Sequence, residues 1–269
     1  MGVISLSIAD LLTAASLVLV SALISLLLRM GLGRQVLWAA TRTVVQLLLV
    51  GHILRVVFAQ DAPWLTALVL ALMLGLAARE VAARPRERLA GRGNAWVGGL
   101  TVACTTVLTA LFVLHTALRP DPWYDPRYTI ALVGILLGSV LNAASLALDS
   151  MLSGIRRERA AIEAQLALGA PVGQAFAPLV RASVRRGIVP SVNQMAAAGI
   201  ITLPGIMTGQ IIAGMDPVEA AKYQILLMFL LCGASGLAAM GAAWLAMRRL
   251  TDTRDRLRLD RLLPERGDA

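Results

Sequence analysis

Few residues in this chain have the types and spacing that chemistry requires. His52 and His115 stand near the ends of apolar runs, and Asp121, Asp125, Asp216 and Glu219 lie in short polar connections. Together they could form a weak cation site. No ligand spacing links them, however, and ordinary interfacial histidines give the same pattern. Met195, Met207, Met215 and Met228 could add soft thioether ligands, but methionine is also a routine packing residue in apolar helices. The spacing leaves any metal-binding residues unknown. Cys104 and Cys232 each sit alone within an apolar run, indicating neither a disulfide framework nor a zinc site. The apolar runs hold no paired aspartates, no histidine-rich stretch and no serine with a base, so an intramembrane enzyme is disfavoured and no catalytic residue is assigned.

A second group consists of polar residues inside apolar runs. Arg42 and Gln46 are one helical turn apart and share a face. Burying an arginine in hydrocarbon is costly, so this face should look into the protein or a wet cavity, with Asp149 as partner by depth; snorkelling to headgroups is the alternative. Asn142, Asn193, Met207 and Gln210 could line a pathway or, for the amides, bond between helices. Pro204 removes a backbone donor and Gly205 adds freedom, so a kink or hinge is expected there, with Thr202 or Thr208 free to bond the released carbonyls.

The elements that must position these residues follow from composition. The chain has 269 residues, 58% hydrophobic and 15% charged, with a mean hydropathy of +0.73. A water-soluble globule has nowhere to hide that apolar surface, so the fold expected is an all-α polytopic membrane protein, one transmembrane domain over residues 1–269. The net charge of +9 is carried almost wholly by arginine, clustered between apolar runs, which points to anionic lipid and topology; nucleic acid is not expected as a partner.

Seven runs are long enough to span: about 8–28, 36–58, 64–79, 95–117, 129–149, 190–214 and 222–247, the third having the least certain ends. The first has no basic leader and no convincing cleavage site, so it reads as a retained helix. Arginines crowd the first connection (Arg29, Arg34), the third (Arg79, Arg84, Arg86, Arg88, Arg92), the fifth (Arg156, Arg157, Arg159, Arg181, Arg185, Arg186) and the tail from Arg248 to Arg266. The other connections hold only Arg119, Arg127 and Lys222, which places the N-terminus outside and the C-terminus in the cytoplasm. The charged tail, about 248–269, reads as a short solvated helix that frays.

The fifth connection, about 150–189, is the longest and has structure of its own. "RRERAAIEAQLALGA" is rich in helix formers, Gly169 is placed to end that helix, and Pro171 disfavours helix at Ala170. A second helix is expected to restart near Pro178 and run to Gly187. The result is a helix-turn-helix elbow over about 156–187. It is either an interfacial hairpin or a docking knob for a cytoplasmic protein.

"EAQLALGA" resembles the EAA loop of ABC transporter permeases: Glu163, Ala164 and Gly169 match in spacing, and Leu179 takes the apolar position ten residues after the glycine. Gln165 replaces the second alanine, and Arg181 with Ala182 stands where Leu-Pro would be. "IEAQLALGAP", "GIVPSVNQMAAAGIITLPGIMTGQIIAGMDPVEAAKYQILLMF" and "RTVVQLLLVG" are similar to permeases of the FetB type, an iron-export family with plant relatives linked to aluminium tolerance. The similarity covers most of the chain. It implies a homodimeric permease in the bacterial inner membrane, paired with a separate cytoplasmic ATPase that binds ATP and Mg. It also implies that Glu163, Ala164, Gly169 and Pro171 contact that ATPase, and that this chain holds no cofactor and is not an enzyme. The chain has no G-x-x-x-x-G-K-[ST] phosphate loop. The rival reading is a secondary transporter or channel for a small ion; it calls for an ionisable pair at midplane, and the sequence offers only off-centre Arg42 and Asp149.

Overall fold

A computed structural model describes residues 7–28, 31–60, 62–85, 87–91, 93–252 and 254–263. Arg29, Arg86, Arg92 and Arg266, used above for orientation, lie outside the described residues. Two compact units divide the chain: Met1–Ala62 with Ile212–Gly214, and Pro63–Ile211 with Met215–Ala269.

The first unit is a helical hairpin of α1 (Ile8–Leu27) and α2 (Gly33–Gln60). Ser7 and Asp10 open α1 with a reciprocal cap: the Asp10 amide donates to Ser7 Oγ, and the Ser7 amide donates to Asp10 Oδ2. The hairpin closes where Gly33 meets α1, so tightly that a Cβ there would lie 2.9 Å from the Ala22 carbonyl oxygen.

The second unit holds α3 (Pro63–Ala83), α4 (Gly93–Val113, extended by a π turn over Leu114–Leu118), α5 (Pro126–Arg157), α6 (Arg159–Ala167), α7 (Val172–Ala197), α8 (Gly205–Ile212, all but its last residue) and α9 (Pro217–Arg249). Proline opens both long helices, where its missing donor costs nothing. Asp125 caps the Arg127 amide, and Asp216 caps the amides of Val218 and Glu219. At the centre, α5 buries Leu136, Val140, Ala144, Leu148, Met151 and Ile155 at helical spacing. Against it lies an alanine face of α9, including Ala238, Ala239, Ala242 and Ala246.

In lipid, leucine gains little by leaving the tails, so such helices are held by close packing of small residues. Gly187 of α7 shows how close: a Cβ would fall 2.7 Å from the Ala143 carbonyl oxygen and 2.8 Å from the Ala239 Cβ. Further along α7, Ser191 Oγ donates to Ser235 Oγ at 2.8 Å.

Among the described residues, six helices are long and apolar enough to cross a membrane: α1, α2, α3, α4 with its π turn, α5 and α9. The described residues contain only isolated bridges and no strand, so the chain is an all-α polytopic membrane protein. Three expectations need correction. The run 190–214 is not one helix: α7 stops at Ala197, and Ala198–Pro204 is not helical before α8 begins. The helix expected to restart near Pro178 and end at Gly187 instead starts at Val172 and runs through Pro178 and Pro190 to Ala197. Burial of Ala175, Phe176, Leu179 and Ser183 along one side holds it across the first proline.

The third correction concerns the tail. Its described residues do not form a solvated helix; they fold back onto the protein. Leu250 and Leu262 are buried, Thr251 bridges to Leu257, and Leu262 bridges to Leu89 in the α3–α4 connection. The Leu263 amide donates to the Arg88 carbonyl at 2.8 Å, and the Ala90 amide to the Arg261 carbonyl at 2.7 Å.

Candidate functional site

The elbow is built from the end of α5 outward. Glu158 separates α5 from α6, yet the hydrogen-bond ladder continues across it: the Glu158 amide donates to Gly154 and the Ile162 amide to Glu158. A bend therefore joins the two helices without a break. α6 ends in a closed turn in which the Gly169 amide donates to the Leu166 carbonyl and the Ala170 amide to that of Gln165, both at 3.0 Å. Gly169 has φ +85°, a left-handed geometry in which a β-carbon is strained, so the glycine ends the helix as its position predicted. Pro171, extended, then starts α7.

The turn is anchored below and open above. Ile162 and Phe176 are buried, and Leu179 presses on Gly154 so closely that a β-carbon on the glycine would overlap it. Leu168 at the tip is 88% exposed. Ala164 is exposed, and Glu163 is half-exposed and paired with Arg159 at 2.9 Å, one turn back on the same helix. Glu163, Ala164, Gly169 and Pro171 are thus brought together on one small projection.

Beside it, a cavity of about 560 Å³ lies between the start of α7 (Val172, Gly173) and the end of α9 (Trp244, Arg248). Arg248 stacks over the Trp244 ring at 4.1 Å. Asp252, on the same rim, accepts the Arg256 and Arg254 amides at 2.8 and 2.9 Å. The Arg256 bond leads in holding its carboxyl below the usual carboxylate range.

Sequence reasoning missed the contact that braces the elbow's base. Arg156 donates through Nε to Glu87 at 2.9 Å and through Nη2 to the Leu263 carbonyl at 3.0 Å. Glu87 is 3% exposed, so one arginine ties α5, the α3–α4 connection and the tail together. The sequence offered only an arginine and a glutamate 69 residues apart.

Higher in the unit, the broken span has a definite depth. Gly187 lies level with Ala143 and Ala239; beyond it α7 rises ten residues, about 15 Å. α5 continues 17 residues to Pro126 and α9 22 residues to Pro217, about 25 and 33 Å. So α7 ends roughly 10–18 Å short of its neighbours. The gap closes on itself: the Ala197 carbonyl accepts the amides of Ile201 and Thr202 and the Thr202 hydroxyl, and the Pro204 carbonyl accepts the Thr208 amide and hydroxyl. The Thr202 and Thr208 hydroxyls thus share carbonyls that already accept backbone amides, and Pro204 and Gly205 sit where the chain re-enters helix. Ile200 and Ile201 are 90% and 79% exposed, and α8 buries none of its residues.

The remaining candidates are dispersed. Arg42 and Gln46 are exposed on α2 in the first unit. In the second unit Asp149 is half-buried on α5, Asn193 is exposed on α7, Met207 is half-buried on α8, and Asn142 accepts from Arg84 Nη1 at 2.6 Å. The Gln210 Oε1 is buried without a hydrogen-bond partner, as is that of Gln224, a residue sequence reasoning passed over because it sits in the first turns of a long apolar helix. Among the described residues no three of His, Cys, Asp and Glu gather to hold a metal.

Residues 8–251 match the uncharacterised protein family UPF0014. A UPF0014 membrane protein of Synechocystis is 44% identical over 79% of this chain and 82% of its own. The protein named "Probable iron export permease protein FetB" in Escherichia coli is 31% identical over 91% of this chain and 92% of its own. The rice UPF0014 membrane protein STAR2 is 32% identical over 86% and 79%. No solved structure matches the chain. The resemblance drawn from the elbow and the flanking motifs thus extends along nearly the whole sequence, and the chain belongs to the UPF0014 family of membrane proteins.

Proposed function

We propose that this chain is the membrane-spanning permease subunit of an ABC transporter in the bacterial inner membrane, working as a homodimer with a separate cytoplasmic ATPase and exporting a metal ion such as iron. The observation that carries the reading is the elbow: a rigid, glycine-closed turn with an exposed leucine at its tip, joined without a break to α5. The substrate is suggested by the name of the Escherichia coli relative. ATP and Mg belong to the partner, where hydrolysis occurs; this chain's part is to receive motion.

The partner's groove takes the tip, with Ala164 allowing close approach and Glu163 exchanging Arg159 for a partner cation. The neighbouring cavity at Trp244 and Arg248 accepts a second side chain from the same partner. When the two ATPase copies close on ATP, the elbow moves with them. Below Gly187, α7 is clamped between α5 and α9 and follows; above Ala197 the chain is loosely packed, so the change of angle is absorbed across Ala198–Gly205. Gln210 and Asn193, close to that segment in sequence, are the pathway contacts the substrate meets.

The test is ATPase activity of the permease reconstituted with its partner, comparing wild type with Glu163→Ala and Gly169→Val. The reading expects about a tenfold weaker complex, equivalent to about 1.4 kcal/mol, and loss of permease-dependent stimulation in both variants. Unchanged binding and stimulation would return the elbow to a passive interfacial hairpin.

A further inference from the structure

The α1–α2 hairpin carries two adjoining hollows that share Arg34 and Leu37. One, of about 490 Å³, is an apolar groove whose floor is Ala22 and Gly33 and whose walls are Leu19, Leu23, Leu26 and Leu37. Its floor is low because the two helices touch there through small residues. The other, of about 740 Å³, is mixed in character, with Leu37 and Trp38 beside the polar groups of Arg34, Gln35 and Thr41. Trp38 is 70% exposed.

Charge completes the description. Arg34 makes no ion pair among the described residues, and the only carboxylate described in this unit is Asp10, tied to Ser7 at the far end of α1. From Asp10 to Leu27 is 17 residues, about 25 Å of helix, too far to neutralise Arg34. The groove runs from Arg34 toward Leu19, and Leu26 to Leu19 spans seven residues, about 10 Å.

We infer that this hairpin holds one anionic phospholipid, its phosphate against Arg34 and Trp38 and one acyl chain in the groove between α1 and α2. Only an amphiphile joins an anion directly to an apolar chain of that length, and the arginine pattern of the connections puts Arg34 at the leaflet where anionic lipids reside. A zwitterionic headgroup would bring its own cation to Arg34, the one charged side chain that lines these hollows among the described residues.

The test uses the full chain with Trp64, Trp96, Trp123 and Trp244 changed to Phe, in phosphatidylcholine vesicles containing brominated phosphatidylglycerol or brominated phosphatidylcholine. Quenching of Trp38 should show about a fivefold preference for phosphatidylglycerol, the worth of one surface arginine. Arg34→Gln should abolish the preference and Arg34→Lys should keep it. Excess soluble glycerol phosphate should leave quenching unchanged, since the acyl chain anchors the lipid; relief of quenching would overturn the proposal in favour of a free phosphate site. Equal quenching by both lipids would overturn it as bulk solvation. Trp38 shielded from both, with Leu23→Cys cross-linking two chains, would assign the groove to a second copy. Should the four-fold Trp variant not fold, native mass spectrometry of wild type and Arg34→Gln reads the same point: equal retention of phosphatidylglycerol refutes it.

Discussion

Replacing Gly187 with alanine asks whether close backbone approach holds α5, α7 and α9 together. The new Cβ would lie 2.7 Å from the Ala143 carbonyl oxygen, 2.8 Å from the Ala239 Cβ and 3.2 Å from the Ala147 Cβ, where ordinary contact begins at 3.4 Å. The nearest of these is main chain and cannot rotate aside, so α7 must withdraw from both neighbours. Overpacking of this kind costs about 2–3 kcal/mol, and the better helix propensity of alanine offsets about 1 of it, for a net loss of about 1–2 kcal/mol. Gly138 of α5 provides the control: a Cβ there meets nothing within 4 Å, so Gly138→Ala should be neutral or stabilising by up to about 1 kcal/mol. The assay is denaturant unfolding of the detergent-solubilised protein followed by circular dichroism. Adding Ala239→Gly to Gly187→Ala removes one clash and leaves the carbonyl, so it should restore only part of the loss. A Gly187→Ala protein that unfolds at or above the wild-type midpoint would refute the packing argument.

Glu87→Gln should destabilise the protein by about 1–3 kcal/mol, because it weakens a charge-assisted bond at a buried acceptor while Arg156 stays half in solvent. A double-mutant cycle with Arg156→Gln, read by thermal unfolding, should show coupling between the two. Pro178→Ala restores an amide inside α7 and should stabilise by about 1–3 kcal/mol in the same assay, provided α7 is helical there as described. Gly169→Val forces a branched side chain to φ +85°, at a cost of about 1–2 kcal/mol, and should speed amide exchange in the elbow turn. Acid should loosen the tail. Asp260 is held low by its hydrogen bond from Arg258, and Asp252 by the Arg256 amide. With folded values below the ordinary 3.8, their stabilisation is full above 3.8 and fades as pH falls through the lower folded values. Amide exchange over 250–263 should therefore accelerate below about pH 3.8 and not between pH 5 and 8.

The long apolar helices were legible because hydropathy and length suffice to find them, and the turn of the elbow because Gly169 and Pro171 punctuate it; its second helix was misplaced because Pro178, which lies inside α7, reads as a helix start. Span three, uncertain at both ends in the sequence, is a full helix from Pro63 to Ala83. Hydropathy could not reveal the break at Ala198–Pro204, since Ile200, Ile201 and Leu203 are as apolar there as in a helix. What distinguishes them is backbone bonding around Gly199, which has φ +84°. The tail misled for a related reason. Its alternating charges suggested a solvated helix, whereas Leu257, Leu259 and Leu262 give it apolar side chains that pack against the core. Pairs such as Glu87 with Arg156 and Arg84 with Asn142 are long-range and leave no local signal. Gln224 was overlooked because one amide scarcely changes the hydropathy of α9.

α5 has 32 residues and no interruption, so it is a rod of about 48 Å, longer than the roughly 30 Å of hydrocarbon by a little over three turns. Such an overhang acts as a lever. If the rod pivots near one end by about 5°, the other end sweeps about 4 Å, comparable with the width of a partly hydrated cation, whereas its middle moves half as far. Because the bend at Glu158 keeps its hydrogen bonds, α6 extends this arm and does not swivel on it. Under the proposed coupling, a small angular displacement applied at the tip would therefore become an ångström-scale shift of the far end of α5 relative to α9.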